Sequence, residues 1–222
     1  MKSLPTRLLG SEKLKVTVIC LGGWPLGGGM GAIDEKQAIR VVHGALDSGV
    51  NFIDTAEGYR TSETIIGKAL VGRRDGVVLA TKFSGAHSPK HIRVAIENSL
   101  RQLRTDYIDL YQIHHPNERW PIDGTMSELL KLKEEGKIGN IGVSNFSVEQ
   151  LDGAADHGVI ASVQPQYSMI FREAEKNLFP YCLEEGIGVM TYGPIARGLL
   201  SGKYKALHTF PSDDDRASHP SL

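Results

Sequence analysis

The chain has 222 residues, of which 41% are hydrophobic and 23% charged, an ordinary balance for a soluble globular protein. Lys+Arg of 25 against Asp+Glu of 26 leaves a formal net charge of -1, so bulk charge points to neither a nucleic-acid nor a membrane partner. The two cysteines, Cys20 and Cys182, form no disulfide framework and no metal-ligand pattern, and no apolar run approaches the roughly 20 residues of a membrane span. Arg7, Glu12, Lys13 and Lys15 interrupt the N-terminal apolar residues, unlike a signal peptide, and a reducing cytoplasm is the expected compartment.

Arg7-Leu8-Leu9 and Lys13-Leu14-Lys15 flank the turn-forming pair Gly10-Ser11 and predict a β-hairpin. Thr17 to Leu21 is almost wholly apolar and predicts a strand covered on both faces, with Cys20 as a small buried hydrophobe. The glycine-rich run Gly22 to Gly29 follows. It fits neither a P-loop nor the dinucleotide fingerprint, and phosphate contact and a flexible surface loop remain equal readings. Asp34 with Gln37 resembles a capping box, and Ala38, Val41, Val42, Ala45 and Leu46 recur with the spacing of a core-facing helix stripe ended by Gly49. His43 lies off that stripe and reads as solvated.

Strand and helix patterns then alternate. Asn51 to Asp54 is a short strand, followed by a helix near Ser62 to Leu70. Val77 to Thr81 is a strand running into Lys82, and Ser88-Pro89 starts the next helix. Ile108 to Ile113 runs into His114, with a helix from about Gly124 to Glu135 after it. Ile138 to Val143 ends in Ser144-Asn145, and Ser147 with Gln150 opens a further capped helix. Ser162 to Gln166, a helix over roughly Lys176 to Glu185, and Gly188 to Thr191 complete the series, ending in Tyr192-Gly193-Pro194. Regular β-α alternation without a break predicts one domain, residues 1–222, with a parallel sheet. After Gly202 the chain turns polar, with Asp213-Asp214-Asp215, and reads as an extended loop.

Asp54, Tyr59, Lys82 and His114 all fall at or just past the carboxyl ends of three successive strands, the face where parallel α/β folds do their chemistry. A tyrosine, of ordinary pKa about 10, is a poor acid near neutrality, and a nearby ammonium favours its phenolate and lowers that pKa. Lys82 supplies such a charge, and Asp54 a partner that keeps it protonated and placed. His114 is suited to donate a hydrogen bond to a carbonyl oxygen. The set describes a site that protonates a carbonyl while a hydride arrives from elsewhere, which implies a nicotinamide cofactor. Each residue alone has a plainer reading: a turn aspartate, a packing tyrosine, a solvated lysine. The adjacent His114-His115 lacks any accompanying metal motif, and no metal is expected.

These residues resemble the aldo-keto reductase signatures. The likeness rests on Asp54-Thr55-Ala56 with Tyr59, Thr81-Lys82, and Asp109-Leu110-Tyr111-Gln112-Ile113-His114. It continues in Gly142-Val143-Ser144-Asn145-Phe146, the Gln164 strand, and Tyr192-Gly193-Pro194 with Arg197-Gly198-Leu199-Leu200-Ser201-Gly202-Lys203. The resemblance implies a parallel (β/α)8 TIM-type barrel with an N-terminal β-hairpin, which here lacks its last βα unit, and reduction of aldehydes or ketones with NADPH or NADH, NADPH favoured. It makes Tyr59 the proton donor, Lys82 and Asp54 its tuning pair, and His114 the carbonyl-orienting residue. It places Ser144, Asn145 and Gln164 on the nicotinamide carboxamide and Tyr192 against the ring. Gly193, Pro194, Ile195, Arg197, Gly198, Leu200, Gly202 and Lys203 fall along the pyrophosphate, with Gly23 and Trp24 in a loop beside cofactor and substrate pocket. Trp24 is equally well a packing lid.

Arg60-Thr61 stands where many members have glycine after the tyrosine. The family's eighth strand and helix, which grip the adenosine 2′-phosphate, have no counterpart here, so a barrel incomplete at its C-terminus is expected. Seven strands leave unpaired edges through which copies of the chain would associate. The partner expected otherwise is a small carbonyl compound. A non-catalytic nucleotide-sensing or regulatory protein, or an inactive truncated remnant, is the alternative on the same scaffold.

Overall fold

The computed structural model describes residues 4–12, 14–204 and 208–218. Thr6–Leu9 (β1) and Leu14–Thr17 (β2) pair antiparallel as the expected hairpin; Lys13, placed in its second arm, lies outside the described residues. Gly10 turns the hairpin with φ +65, and a Cβ there would stand 2.0 Å from the Ala161 carbonyl oxygen, so only glycine lets the turn dock this closely.

The expected strand from Thr17 to Leu21 is corrected. Thr17 closes β2, Val18 and Ile19 are half-exposed, and only Leu21–Gly22 (β3) joins the main sheet. The reason is a change of sheet. Val18 N–H still donates to the Pro5 carbonyl of the hairpin at 3.0 Å, while Asn51 Oδ1 accepts from Thr17 N–H at 2.7 Å, so the chain bends here and turns the two side chains outward.

The main sheet is parallel and follows sequence order: β3, Phe52–Asp54 (β4), Val78–Phe83 (β5), Ile108–Ile113 (β6), Ile138–Ser144 (β7), Ser162–Gln164 (β8) and Gly188–Val189 (β9). Helices Glu35–Asp47 (α1), Ser62–Ala69 (α2), Pro89–Leu103 (α3), Ile122–Glu134 (α4), Val148–Ala155 (α5) and Leu178–Glu184 (α6) connect the strands. Three N-caps show why helices start where they do. Asp34 and Ser88 each accept from the backbone N–H three residues on, and Ser147 with Gln150 forms the full reciprocal box. Such a cap stabilises by about 1 kcal/mol. In α1 the stripe is narrower than expected: Ala38 and Val42 are fully buried, but Val41 is 42% exposed. His43, expected in solvent, is half-buried with Nε2 2.9 Å from the Ala69 carbonyl oxygen, because α2 packs over that turn.

Side-chain alternation divides each strand between two clusters. Ile53, Leu79, Phe83, Tyr111, Ile113, Ile141, Val143 and Val163 join the helices in one large cluster. Phe52, Val78, Ala80 and Leu110 point the other way and pack with Ala161, Met190 and the hairpin's Leu9 and Val16. Residues from both ends of the sheet thus meet, which requires a sheet curled on itself with the hairpin as its floor. Among the described residues no pairing joins β3 to β9, so the curl stays open.

Candidate active site

Above the apolar floor the inner face turns polar. Two residues beyond Phe52, Ala80 and Leu110 come Asp54, Lys82 and Gln112, aligned by the register Asp54↔Ala80 and Lys82↔Gln112. Lys82 is fully buried. Its Nζ donates to Asp54 Oδ2 at 2.7 Å and to the Thr55 carbonyl at 2.8 Å. Gln112 Nε2 holds the other carboxylate oxygen of Asp54 at 2.9 Å. A bare ammonium in this interior would lose its proton. Burial does pull the Lys82 pKa down, but the Asp54 charge and the Tyr59 phenol outweigh it and hold the value above the ordinary lysine range.

Tyr59 arrives on the loop after β4, with Lys82 Nζ 5.0 Å from its ring centroid. The sequence suggested a lowered phenol pKa. The net direction is upward, because burial outweighs the Lys82 charge and Asp54 adds to the rise. Tyr59 therefore keeps its proton and is suited to give it up to a base rather than to act as a standing phenolate. His114 meets the Tyr59 ring edge-on at 5.4 Å and stacks on His115. Burial first, then the charges of Lys82 and His115, push the His114 pKa down to about 3, so its ring is neutral near pH 7. Trp24 packs edge-on against Tyr59 at 4.9 Å. The predicted tetrad is thus brought together, with Trp24 as its wall.

The predicted carboxamide residues lie on the neighbouring strand ends and are already joined to one another. Ser144 Oγ donates to the Gln164 carbonyl at 2.9 Å. Asn145 Nδ2 donates to the His114 carbonyl and to Ser144 Oγ, both at 3.0 Å, and Tyr192 O–H donates to Asn145 Oδ1 at 2.9 Å. Gln164 is buried at the end of β8, 3% exposed. Gly23 offers little to a ligand, since its N–H donates to the Asp54 carbonyl at 2.7 Å and its carbonyl accepts from Ser62 Oγ at 2.8 Å.

Past β9 the chain runs from Gly193 through Pro194, Ile195 and Leu200 to Lys203, with left-handed backbone at Gly193, Ala196, Arg197, Gly198 and Gly202. For Ala196 and Arg197 such backbone carries strain of the kind that functional loops hold. Arg197 has no carboxylate partner among the described residues, and its charge opposes the rise in the Tyr59 and Tyr192 pKa values. A guanidinium without a carboxylate partner, close enough to act on Tyr59 and Tyr192, suits an anionic ligand beside the tetrad. Among the described residues no cluster of three metal-ligating side chains is found.

The expected extended loop near Asp213 to Asp215 is instead docked. Asp214 is buried, takes Arg216 Nε at 2.8 Å, and bridges to Met30 of the glycine-rich run. Asp215 pairs with Arg60 at 3.0 Å, and Arg60 also donates to the Gly28 carbonyl at 2.7 Å. Arg60 adopts φ 52, a left-handed backbone that explains why glycine is usual there. Cys20 lies between strands β2 and β3, and burial, then the Asp54 charge, pushes its thiol well up, which suits an inert residue.

Sequence reading missed two contacts. Gln112 was seen only as part of a motif, although its two-residue spacing from His114 puts it on the inner face. Ser84 stands in the same relation to Lys82, and its Oγ lies 2.9 Å from His114 Nδ1.

The model of the aldo/keto reductase family matches residues 18–220. Aldo-keto reductase YhdN of Bacillus subtilis (strain 168) is 41% identical over 93% of this chain and 67% of its own length. A glycerol dehydrogenase from Gluconobacter oxydans superposes with a TM-score of 0.87 at 38% identity, covering 100% of this chain and 72% of that one. An aldo/keto reductase from Klebsiella pneumoniae, solved in complex with NADP and acetate, superposes with a TM-score of 0.79 at 33% identity, covering 90% and 70%. The chain belongs to the aldo/keto reductase family, a family of oxidoreductase enzymes.

Proposed function

We propose that this enzyme reduces an aldehyde or ketone, with Tyr59 as proton donor to the carbonyl oxygen. The observation that carries this reading is the fully buried Lys82, ion-paired to Asp54 at 2.7 Å and set 5.0 Å from the Tyr59 ring. A protein retains such a costly pair where it serves the group above it. Lys82 steadies the negative charge that develops on Tyr59 as its proton leaves. Neutral His114 donates to the carbonyl oxygen and sets its angle. NADPH or NADH, the former named in part by the Klebsiella relative's NADP, supplies the hydride when bound. Arg197 would meet its phosphates and Gln164 its carboxamide, while Tyr192 lines the ring's place. Ser144 and Asn145 brace this cradle through their mutual hydrogen bonds. Trp24 closes the pocket against water on the Tyr59 side. The compartment we propose is the cytoplasm, in keeping with two free cysteines.

The test is Tyr59→Phe. Aldehyde reduction by NADPH should fall by about 10²–10⁴-fold, while quenching of Trp24 and Trp120 fluorescence by NADPH keeps its midpoint. Turnover equal to that of the unaltered protein would remove Tyr59 from the proton-donor role.

A further inference from the structure

Neutral His114 carries one ring proton, and the nitrogen that holds it decides whether the ring donates or only accepts toward a substrate oxygen. The contacts around Ser84 bear on that choice. Ser84 follows β5 directly and sits two residues after Lys82, so its side chain shares the inner face. The β5–β6 ladder continues one bond further there, with His114 N–H donating to the Phe83 carbonyl at 3.1 Å. That bond sets the serine beside the imidazole, Oγ 2.9 Å from Nδ1.

Ser84 is itself held by its backbone. Its N–H donates to Glu57 Oε1 at 2.5 Å, and its carbonyl oxygen lies 2.8 Å from His91 Nε2. Glu57 belongs to the loop that carries Tyr59, so loop, serine and imidazole form one connected unit. Among the described residues the Ser84 hydroxyl has no partner other than Nδ1. If Nδ1–H donated to Oγ, the serine proton would have to turn to solvent and Nε2 would be left a bare acceptor, unable to donate to a substrate oxygen. If the serine donates to Nδ1, its proton is held within the protein and the ring proton is left on Nε2, which has no protein partner among the described residues and is open to a ligand oxygen.

Resting on the proposed role of His114, we propose that Ser84 is a positioning residue for carbonyl reduction: its hydroxyl donates to His114 Nδ1 and so keeps the imidazole proton on Nε2, ready to donate to the substrate. Ser84 acts through the ring and takes no part in the chemistry itself. Lys82, His115, Tyr59, Glu57 and His91 are the titratable groups around the pair, and only Ser84 contacts Nδ1 among the described residues.

The experiment has two arms on Ser84→Ala and Ser84→Thr, each first matched to the unaltered protein by circular dichroism and melting temperature. In the first, the imidazole nitrogens of ¹⁵N-histidine-labelled protein are observed by NMR, the His114 signals being identified by their loss in His114→Asn. The unaltered protein and Ser84→Thr should show His114 with Nε2 protonated and Nδ1 bare, and Ser84→Ala a shift toward a tautomer mixture. A proton on Nδ1 in the unaltered protein overturns the proposal. This arm needs no turnover, so it stands or falls apart from the reductase reading. In the second, Ser84→Ala should lower kcat for aldehyde reduction by about 10- to 100-fold without moving the NADPH binding midpoint, and Ser84→Thr should recover most of the loss. An unchanged kcat in Ser84→Ala also overturns it.

Discussion

Strands β4, β5 and β6 each carry an apolar residue low on the inner face and a polar one two positions higher: Phe52 below Asp54, Ala80 below Lys82, Leu110 below Gln112. The lower layer meets the hairpin and is held by apolar burial. The upper layer is polar and is held by directed bonds, Lys82 to Asp54 and Thr55, Gln112 to Asp54. The two layers share backbone, register and burial, yet they fail in different ways. Loss of an atom below leaves a void, whereas loss of an atom above leaves an uncompensated charge.

The largest expected effect is at Lys82. Lys82→Met leaves Asp54 buried without its partner, which costs about 3–5 kcal/mol in urea denaturation, and turnover should be lost. Asp54→Leu with Lys82→Met should recover most of that stability and none of the turnover. A single variant as stable as the unaltered protein would show that the pair is not an electrostatic unit.

Below it, Leu110→Ala should cost about 2–5 kcal/mol with kcat nearly unchanged in the surviving folded protein. A collapse of kcat at full cofactor saturation would mean that the floor positions the upper layer, and the contrast would break.

The third effect is graded with pH. His114 titrates at about 3 in the folded protein and, with an ordinary value of 6.5, near that value when unfolded. Between these limits the unfolded chain binds the additional proton, so stability is full above pH 6.5 and falls as pH drops toward 3, by at most about 1.4 kcal/mol per pH unit. Urea midpoints measured for His114→Asn should decline less steeply over that window than those of the unaltered protein, and equal slopes would sink the assignment.

The smallest effect is at the rim. The Arg60–Asp215 pair is 48% and 34% exposed, and such pairs contribute about 0–1 kcal/mol. Arg60→Gly removes it but also relieves a left-handed backbone that costs roughly 1–2 kcal/mol. A melting temperature equal to or slightly above the original is expected, with weaker salt dependence. A fall of several degrees would place the rim pair among the structural contacts.

Much of this molecule is legible in its sequence. Local signals mark the helices, because capping pairs such as Ser147 with Gln150 act within four residues, and short apolar runs mark the strands. The tetrad was legible too, since strand ends in a parallel sheet share one face. Where two long-range demands competed, sequence misled. Val18 and Ile19 read as core, but they lie where the chain leaves one sheet for another. Asp213-Asp214-Asp215 reads as part of an extended loop, but Arg216 neutralises Asp214 and docks the turn on Met30. The residue types and their spacing determined by themselves the β-α order, the helix starts and the gathering of Asp54, Tyr59, Lys82 and His114 at one face. Tertiary structure alone decided the direction of the Tyr59 pKa, the commitment of Asn145 to His114 and Tyr192, and the pairing of Ser84 with His114. Those depend on desolvation and on angstrom-scale distances between residues far apart in the chain, which no local pattern encodes.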